Sequence, residues 1–410
     1  MLSCSLRTRV VSEGATREFF FVRLQIFEMS KAVLNNAFLP SGNLADIAID
    51  QGRIAAIQKA GSLAADSGID CRRRCVLPGF IDIHNHGAKG IDVNEADADG
   101  LLEIGRFLLS NGVCGWVPTI VPDEDTAYCR VISAVEKAME ISATMPVARI
   151  LGVHYEGIFA NKNMCGALQP EYFRTYSGTE LESLPVPASG GRIMTFAPEI
   201  SGGVDLATDL SRSGWIGAIG HTDSNPETLE RAFSAGARHF THFFNAMSGI
   251  HHRKIGVAGW ALTEPLATID IIADGVHIAK RLLDFAIRSK TPEHTLLISD
   301  SVAPTGLGDG AFTLWGDEIN VEGRRTLGPN GGIAGSVITM LDAARSVYEL
   351  GFNLQEIAFM SARNPARLLG IDGDTGTIEV GKRADLVVLG PDFQIDMVFI
   401  GGQIVGGPHD

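Results

Sequence analysis

Eight short apolar runs alternate with amphipathic stretches between Pro78 and Leu369, and few architectures accommodate that rhythm. The runs read as strands over Phe80–His86, Cys114–Ile120, Ile150–Glu156, Arg192–Ala197, Ile216–His221, His239–Phe244, Ala267–Ala273 and Thr295–Ser301. The spacing predicts helices over Leu101–Ser110, Thr126–Ser142, Pro226–Ala235, Ala279–Ser289, Ser336–Glu349 and Leu354–Arg367. Strand–helix alternation of this length indicates an α/β protein, specifically a (β/α)₈ TIM barrel.

The two chain ends read differently. Ala45–Ile49, Gln51-Gly52-Arg53 and Ile54–Ile57 form a hairpin pattern, and short strand-like runs return at Ala384–Leu389 and Met397–Ile400. Neither end is large enough to build a good core alone. We therefore expect one small β-sandwich domain from residues 29–77 plus 375–410, attached to a catalytic barrel over 78–374. Residues 1–28 fit poorly with either. Arg17 and Arg23 flank the apolar run Phe19–Val22, so no signal-peptide core forms, and Met29-Ser30-Lys31 reads like a natural start. A basic targeting peptide fits less well, given Glu13, Glu18 and Glu28.

The composition suits a large intracellular enzyme. A net charge of −14 argues against nucleic acid or an anionic membrane as general partners. No apolar stretch is long and uncharged enough to span a bilayer. Cys4, Cys71, Cys75, Cys114, Cys129 and Cys165 are scattered without a disulfide framework, as a reducing cytosol would have them.

Barrel enzymes carry their chemistry at the carboxyl ends of the strands. The first run, Pro78-Gly79-Phe80-Ile81-Asp82-Ile83-His84-Asn85-His86-Gly87, places Asp82, His84 and His86 on one strand face. Two imidazoles there can bind one divalent metal, although an isolated His-x-His more often closes a surface strand. Four further strand ends tip the balance: His154-Tyr155-Glu156-Gly157, Gly220-His221-Thr222, Thr241-His242 and Ser299-Asp300-Ser301. Each alone could be a core histidine or a helix-capping aspartate. Together, nitrogen and oxygen donors without cysteine fit zinc or another first-row divalent ion. His154 reads as a supporting residue behind the ligands.

With these segments the chain resembles the amidohydrolase superfamily and, within it, the N-acetylglucosamine-6-phosphate deacetylases. The specific marks are Thr241-His242-Phe243-Phe244-Asn245-Ala246-Met247 and Ala273-Asp274-Gly275-Val276-His277, over a likeness running from about Ala32 to Val405. The resemblance implies Glu156, His221 and His242 as the main metal ligands, with His84 and His86 available for a second ion. It implies Asp300 as general acid/base. Asn245, Ala246, Arg253 and His277 would hold the sugar phosphate, with Ala167, Leu168, Ile333, Ala334 and Gly335 lining the substrate. His251-His252-Arg253-Lys254 is a cationic cluster in an acidic chain, as a phosphate requires, and otherwise a solvated loop. In the family this arginine serves a neighbouring subunit's site, so a homodimer is expected.

There are two departures from the family pattern. Gly157 is followed by Ile158, and Gly166-Ala167 by Leu168 where the family has a histidine that polarises the substrate carbonyl. Leu168 donates no hydrogen bond, so that role is lost or moved, and a second metal at His84 and His86 could take it. The implied reaction is deacetylation of N-acetylglucosamine 6-phosphate. The alternatives are N-acetylgalactosamine 6-phosphate, an unphosphorylated N-acyl compound, or a non-catalytic scaffold, whose expected broken ligands are not found.

Overall fold

The computed structural model describes residues 31–63, 68–328 and 331–405. The expected extension over residues 1–28 lies outside them. Eight strands pair in parallel in chain order: Phe80–Asn85, Val113–Ile120, Gly152–Phe159, Gly191–Phe196, Ile216–Ile219, His239–Phe240, Thr268–Ile272 and Thr295–Ile298. Asn85 bridges Ser301, bringing the eighth strand to the first and nearly closing the TIM barrel. Every residue of the first three strands is buried, as expected when helices cover a parallel sheet outside and side chains fill it inside.

Helices between the strands bury one face each. Ala98–Ser110 starts where the Asp97 carboxylate accepts from the Gly100 amide. Met340–Glu349 starts later than the Ser336 expected from sequence, because Thr339 and Asp342 form a capping box there. Ser336 instead donates its hydroxyl to the carbonyl of Ser299. The stretch expected as one helix over Leu354–Arg367 contains a π-helical turn at Phe359–Arg363.

Besides short pieces such as Glu180–Ser183 and the pair Gly87–Ala88 with Ile91–Asp92, three elements were not expected. Gly203–Arg212 follows a glycine pair that reads as a loop. Gly256–Thr263 (GVAGWALT) is apolar all round, with five residues buried, so it has no amphipathic period to detect. Gly310–Leu314, Asp317–Glu322 and Arg325–Leu327 form a small antiparallel sheet inserted after the eighth strand.

Both chain ends join one further sheet. Lys31–Phe38, Leu44–Asp50 and Arg53–Lys59 lie on one side of Cys75–Pro78, and Leu386–Leu389, Ile395–Ile400 and Gln403–Val405 on the other. Its own buried cluster draws on both ends, with Leu34, Ile47 and Val76 against Leu386, Val388 and Phe399.

Candidate active site

Strands five, six and eight stop short of the ends expected from sequence, for one reason. His221, His242 and Asp300 each stand two residues past the last strand residue, with φ of 48°, 30° and 49°. Non-glycine residues in this left-handed region are strained and persist only where neighbours fix them. The Asp270 carboxylate accepts from the His242 amide, and its other oxygen lies 2.9 Å from His239 Nε2. Ser299, beside Asp300, donates its hydroxyl to Asp82 at 2.6 Å and its amide to Asp82 at 3.2 Å.

Four imidazoles converge on one carboxylate. Glu156 Oε1 lies 2.9 Å from His242 Nε2, 3.2 Å from His221 Nε2 and 3.3 Å from His84 Nε2. Its Oε2 lies 3.3 Å from His86 Nε2. Asp300 Oδ1 is 3.4 Å from His84 Nε2 and 3.3 Å from His86 Nε2. All of these side chains are buried, which removes the surface-strand alternative for His84 and His86. Glu156 thus belongs to two donor groups, one with His84 and His86 and one with His221 and His242, each within 4.8 Å.

Burial alone would keep Glu156 protonated, but the charge of His84 and hydrogen bonds from His221 and His242 hold it well below the usual carboxylate range. Asp300 is likewise held down against burial by His84 and His86. Burial opposes charge on His86 too, yet its hydrogen bonds to Asp300 and Glu156 raise it to about 10. His242 rises to about 9 against the same opposition, chiefly through Glu156.

The donor chemistry fits a divalent ion. His221 Nδ1 donates to the Met164 carbonyl at 2.8 Å, which makes Nε2, on the Glu156 side, the nitrogen available to a metal. Oxygen and nitrogen donors without thiolate suit zinc-like ions. His154 lies behind the cluster, its Nε2 2.7 Å from the Thr195 hydroxyl and its ring edge-on to His84. Burial and the charge of His84 keep it neutral.

The cluster opens into a cavity of about 220 Å³ lined by His86, Glu156, His221, His242 and Asp300. Gly166, Ala167, Leu168, Asn245, Ala246, His277, Ile333 and Gly335 complete the wall, with Trp315. His277 is anchored by Asp274, whose carboxylate lies 2.6 Å from Nδ1 and accepts the His277 amide at 2.9 Å. Leu168 covers Gly157 so closely that a Cβ there would collide with it. Two expected site residues are not in this wall. Ala334 turns away, between two lining residues, into an apolar cluster with Val302, Leu314 and Ile319. Arg253 sits exposed on the tight turn where His251 and Lys254 pair.

Trp315 was missed from sequence. With Gly316 it forms the tip of the inserted hairpin, both at positive φ. Its ring meets His86 edge-on at 5.2 Å, and its indole N–H donates to Asp92 at 3.0 Å. The alternation Phe312-Thr313-Leu314 before Trp315-Gly316 was the available hairpin signal.

The amidohydrolase family profile matches residues 199–405. The chain is 35% identical to an N-acetylglucosamine-6-phosphate deacetylase of Bacillus subtilis, over 80% of this chain and 84% of that one. It is 33% identical to an N-acetylgalactosamine-6-phosphate deacetylase of Escherichia coli O157:H7, over 80% and 87%. Among solved structures it is similar to a variant N-acetyl-D-glucosamine-6-phosphate deacetylase of Mycobacterium smegmatis in complex with N-acetyl-D-glucosamine-6-phosphate. That match has a TM-score of 0.80 and 26% identity, covering 92% of this chain and 99% of the other. With a buried His/Glu cluster at the mouth of a barrel and relatives of this identity, the chain belongs to the amidohydrolase family and, within it, to the N-acetylglucosamine-6-phosphate deacetylases.

Proposed function

We propose that the enzyme hydrolyses the N-acetyl group of N-acetylglucosamine 6-phosphate, giving acetate and glucosamine 6-phosphate. The observation that carries this reading is Asp300 beside the His–Glu cluster at the base of a small cavity. In it, Glu156, His221 and His242 would hold one divalent ion, with zinc suited to these donors, and His84, His86 and Glu156 would offer a second site. When bound, such an ion supplies Lewis acidity towards water and the amide carbonyl. Asp300, kept ionised by the neighbouring histidines, accepts the proton of the attacking water and returns it to the departing amine. Asn245 and the anchored His277 orient the sugar. Leu168 offers the carbonyl no donor, and an ion at His84 and His86 would supply that polarisation.

No arginine or lysine is among the described residues of the cavity wall. A 6-phosphate there takes its countercharge from outside, and Arg253 of a second copy fits that need, so the reading includes a homodimer. The five described cysteines are free thiols, which supports a place in the reducing cytosol. Among the described residues no helix is long and apolar enough to cross a membrane.

A second reading, the same reaction on the 4-epimer, is favoured by the 33% identity to the N-acetylgalactosamine-6-phosphate enzyme. Acetate release from both N-acetyl sugars, with and without 6-phosphate, tests the assignment. The expected result is turnover of N-acetylglucosamine 6-phosphate above the other three. Preferred turnover of an unphosphorylated sugar would overturn it.

A further inference from the structure

We infer that Glu199 is a positioning residue that sets the geometry of His221. The inference rests on the reading of His221 as a metal ligand. Glu199 lies just past the fourth strand, a strand end that contributes no residue to the His–Glu cluster. Its carboxylate accepts four hydrogen bonds. Oε1 takes the Asn161 side-chain amide and the Asp223 backbone amide, each at 2.7 Å. Oε2 takes the hydroxyls of Thr222 and Ser224, each at 2.6 Å.

These donors belong to two loops that meet at His221. Thr222, Asp223 and Ser224 directly follow it. Asn161 belongs to the loop after the third strand, and its own amide donates to the His221 carbonyl at 3.0 Å. Asn161 also caps the short turn Lys162–Met164, accepting the Asn163 amide at 2.9 Å. That turn ends on the Met164 carbonyl, which receives His221 Nδ1–H. Glu199 therefore grips both handles of His221: the backbone held at φ 48°, and the loop that fixes the ring's tautomer and orientation.

Four N–H and O–H groups meet the two Glu199 oxygens, and a side chain without an acceptor there leaves the Asn161 and Asp223 N–H groups without their partner. Glu199 is absent from the cavity wall, so any effect on the metal passes through His221.

The test is zinc affinity of the full-length protein, measured by competition with a chromogenic chelator, beside thermal unfolding of the metal-free form. Glu199→Ala, which removes all four bonds, is expected to bind the His221-dependent zinc about ten- to a hundredfold more weakly. Metal-free unfolding should shift little, and acetate release should recover at excess zinc with KM near wild type. Thr222→Val with Ser224→Ala removes two of the four bonds and should give an intermediate loss, which keeps the test intact if Glu199→Ala does not fold. Unchanged zinc affinity in both variants would overturn the positioning role and leave Glu199 a loop tie. If His221→Ala also binds zinc as wild type does, the ligand reading itself fails and takes this inference with it.

Discussion

The Nε2 atoms of His84 and His86 stand 3.1 Å apart, both pointing at Glu156. Two imidazoles on one buried strand face are held that close only by something that both contact. We expect native mass spectrometry of zinc-loaded protein to show two ions per chain. His84→Asn with His86→Asn should reduce this to one and lower turnover strongly. Two ions in the double variant would place the second site elsewhere.

Metal loading should expel protons. In the metal-free protein His86 titrates at about 10 and His242 at about 9, and both must be bare to act as ligands. Zinc binding at pH 8 should therefore release about two protons, read from the dependence of the binding heat on buffer ionisation. Affinity should fall as pH falls. The metal-free fold should show the opposite trend. These raised values stabilise it fully below the ordinary histidine value of 6.5, and the contribution is lost as pH rises through 9 to 10.

Asp300→Asn keeps the shape but cannot accept a proton. Turnover should fall at least about a hundredfold, with folding and substrate KM largely unchanged. A loss confined to KM would move Asp300 out of the proton-transfer role.

Arg253→Ala should raise KM for a 6-phosphate substrate by roughly ten- to a hundredfold, the equivalent of about 1.5–3 kcal/mol, and leave unphosphorylated turnover nearly unchanged. Mixing Arg253→Ala and Asp300→Asn subunits tests the dimer directly. In a shared-site dimer the hybrid has one site with both residues intact, so activity should exceed that of either parent. Purely additive activity would confine each site to one chain.

Trp315→Phe keeps the aromatic edge against His86 but deletes the donor to Asp92. Burial already raises the Asp92 carboxyl to about 6, against the opposing hydrogen bond from the Asn94 amide. Removing the indole N–H should cost about 1–3 kcal/mol of stability and raise that value further. An unchanged melting temperature would show that water replaces the indole.

The barrel was legible because parallel strands and their covering helices impose two clear hydrophobic periods, and the strand-end residues could be read against them. Alternation put His84 and His86 on one strand face, and the other strand ends turned that face into a site. What period could not reveal was direction outside regular structure. Ala334 and its neighbours lie in a loop, where nothing in sequence says which of three consecutive residues faces the cavity. Trp315 reaches the site from an insertion that belongs to no barrel unit. Arg253 lies on an exposed turn, outside the cavity wall of its own chain. The overextended strands five, six and eight have a related origin: their runs were read through His221, His242 and Asp300, whereas the backbone leaves the strand just before these residues.

The sheet knitted from both chain ends also sets a timetable for synthesis. Cys75–Pro78 leaves the ribosome roughly 300 residues before Leu386–Leu389, the partner it pairs with in the finished protein. At 5–20 residues per second that is about 15–60 s during which one side of the strand has an open hydrogen-bonding edge. The barrel is nearly complete within that interval, so its assembly brings the two ends together. A ribosome that stalls or terminates before Leu386 leaves a nearly whole barrel with an unfinished edge exposed, a form open to chaperone capture or to pairing with another nascent chain.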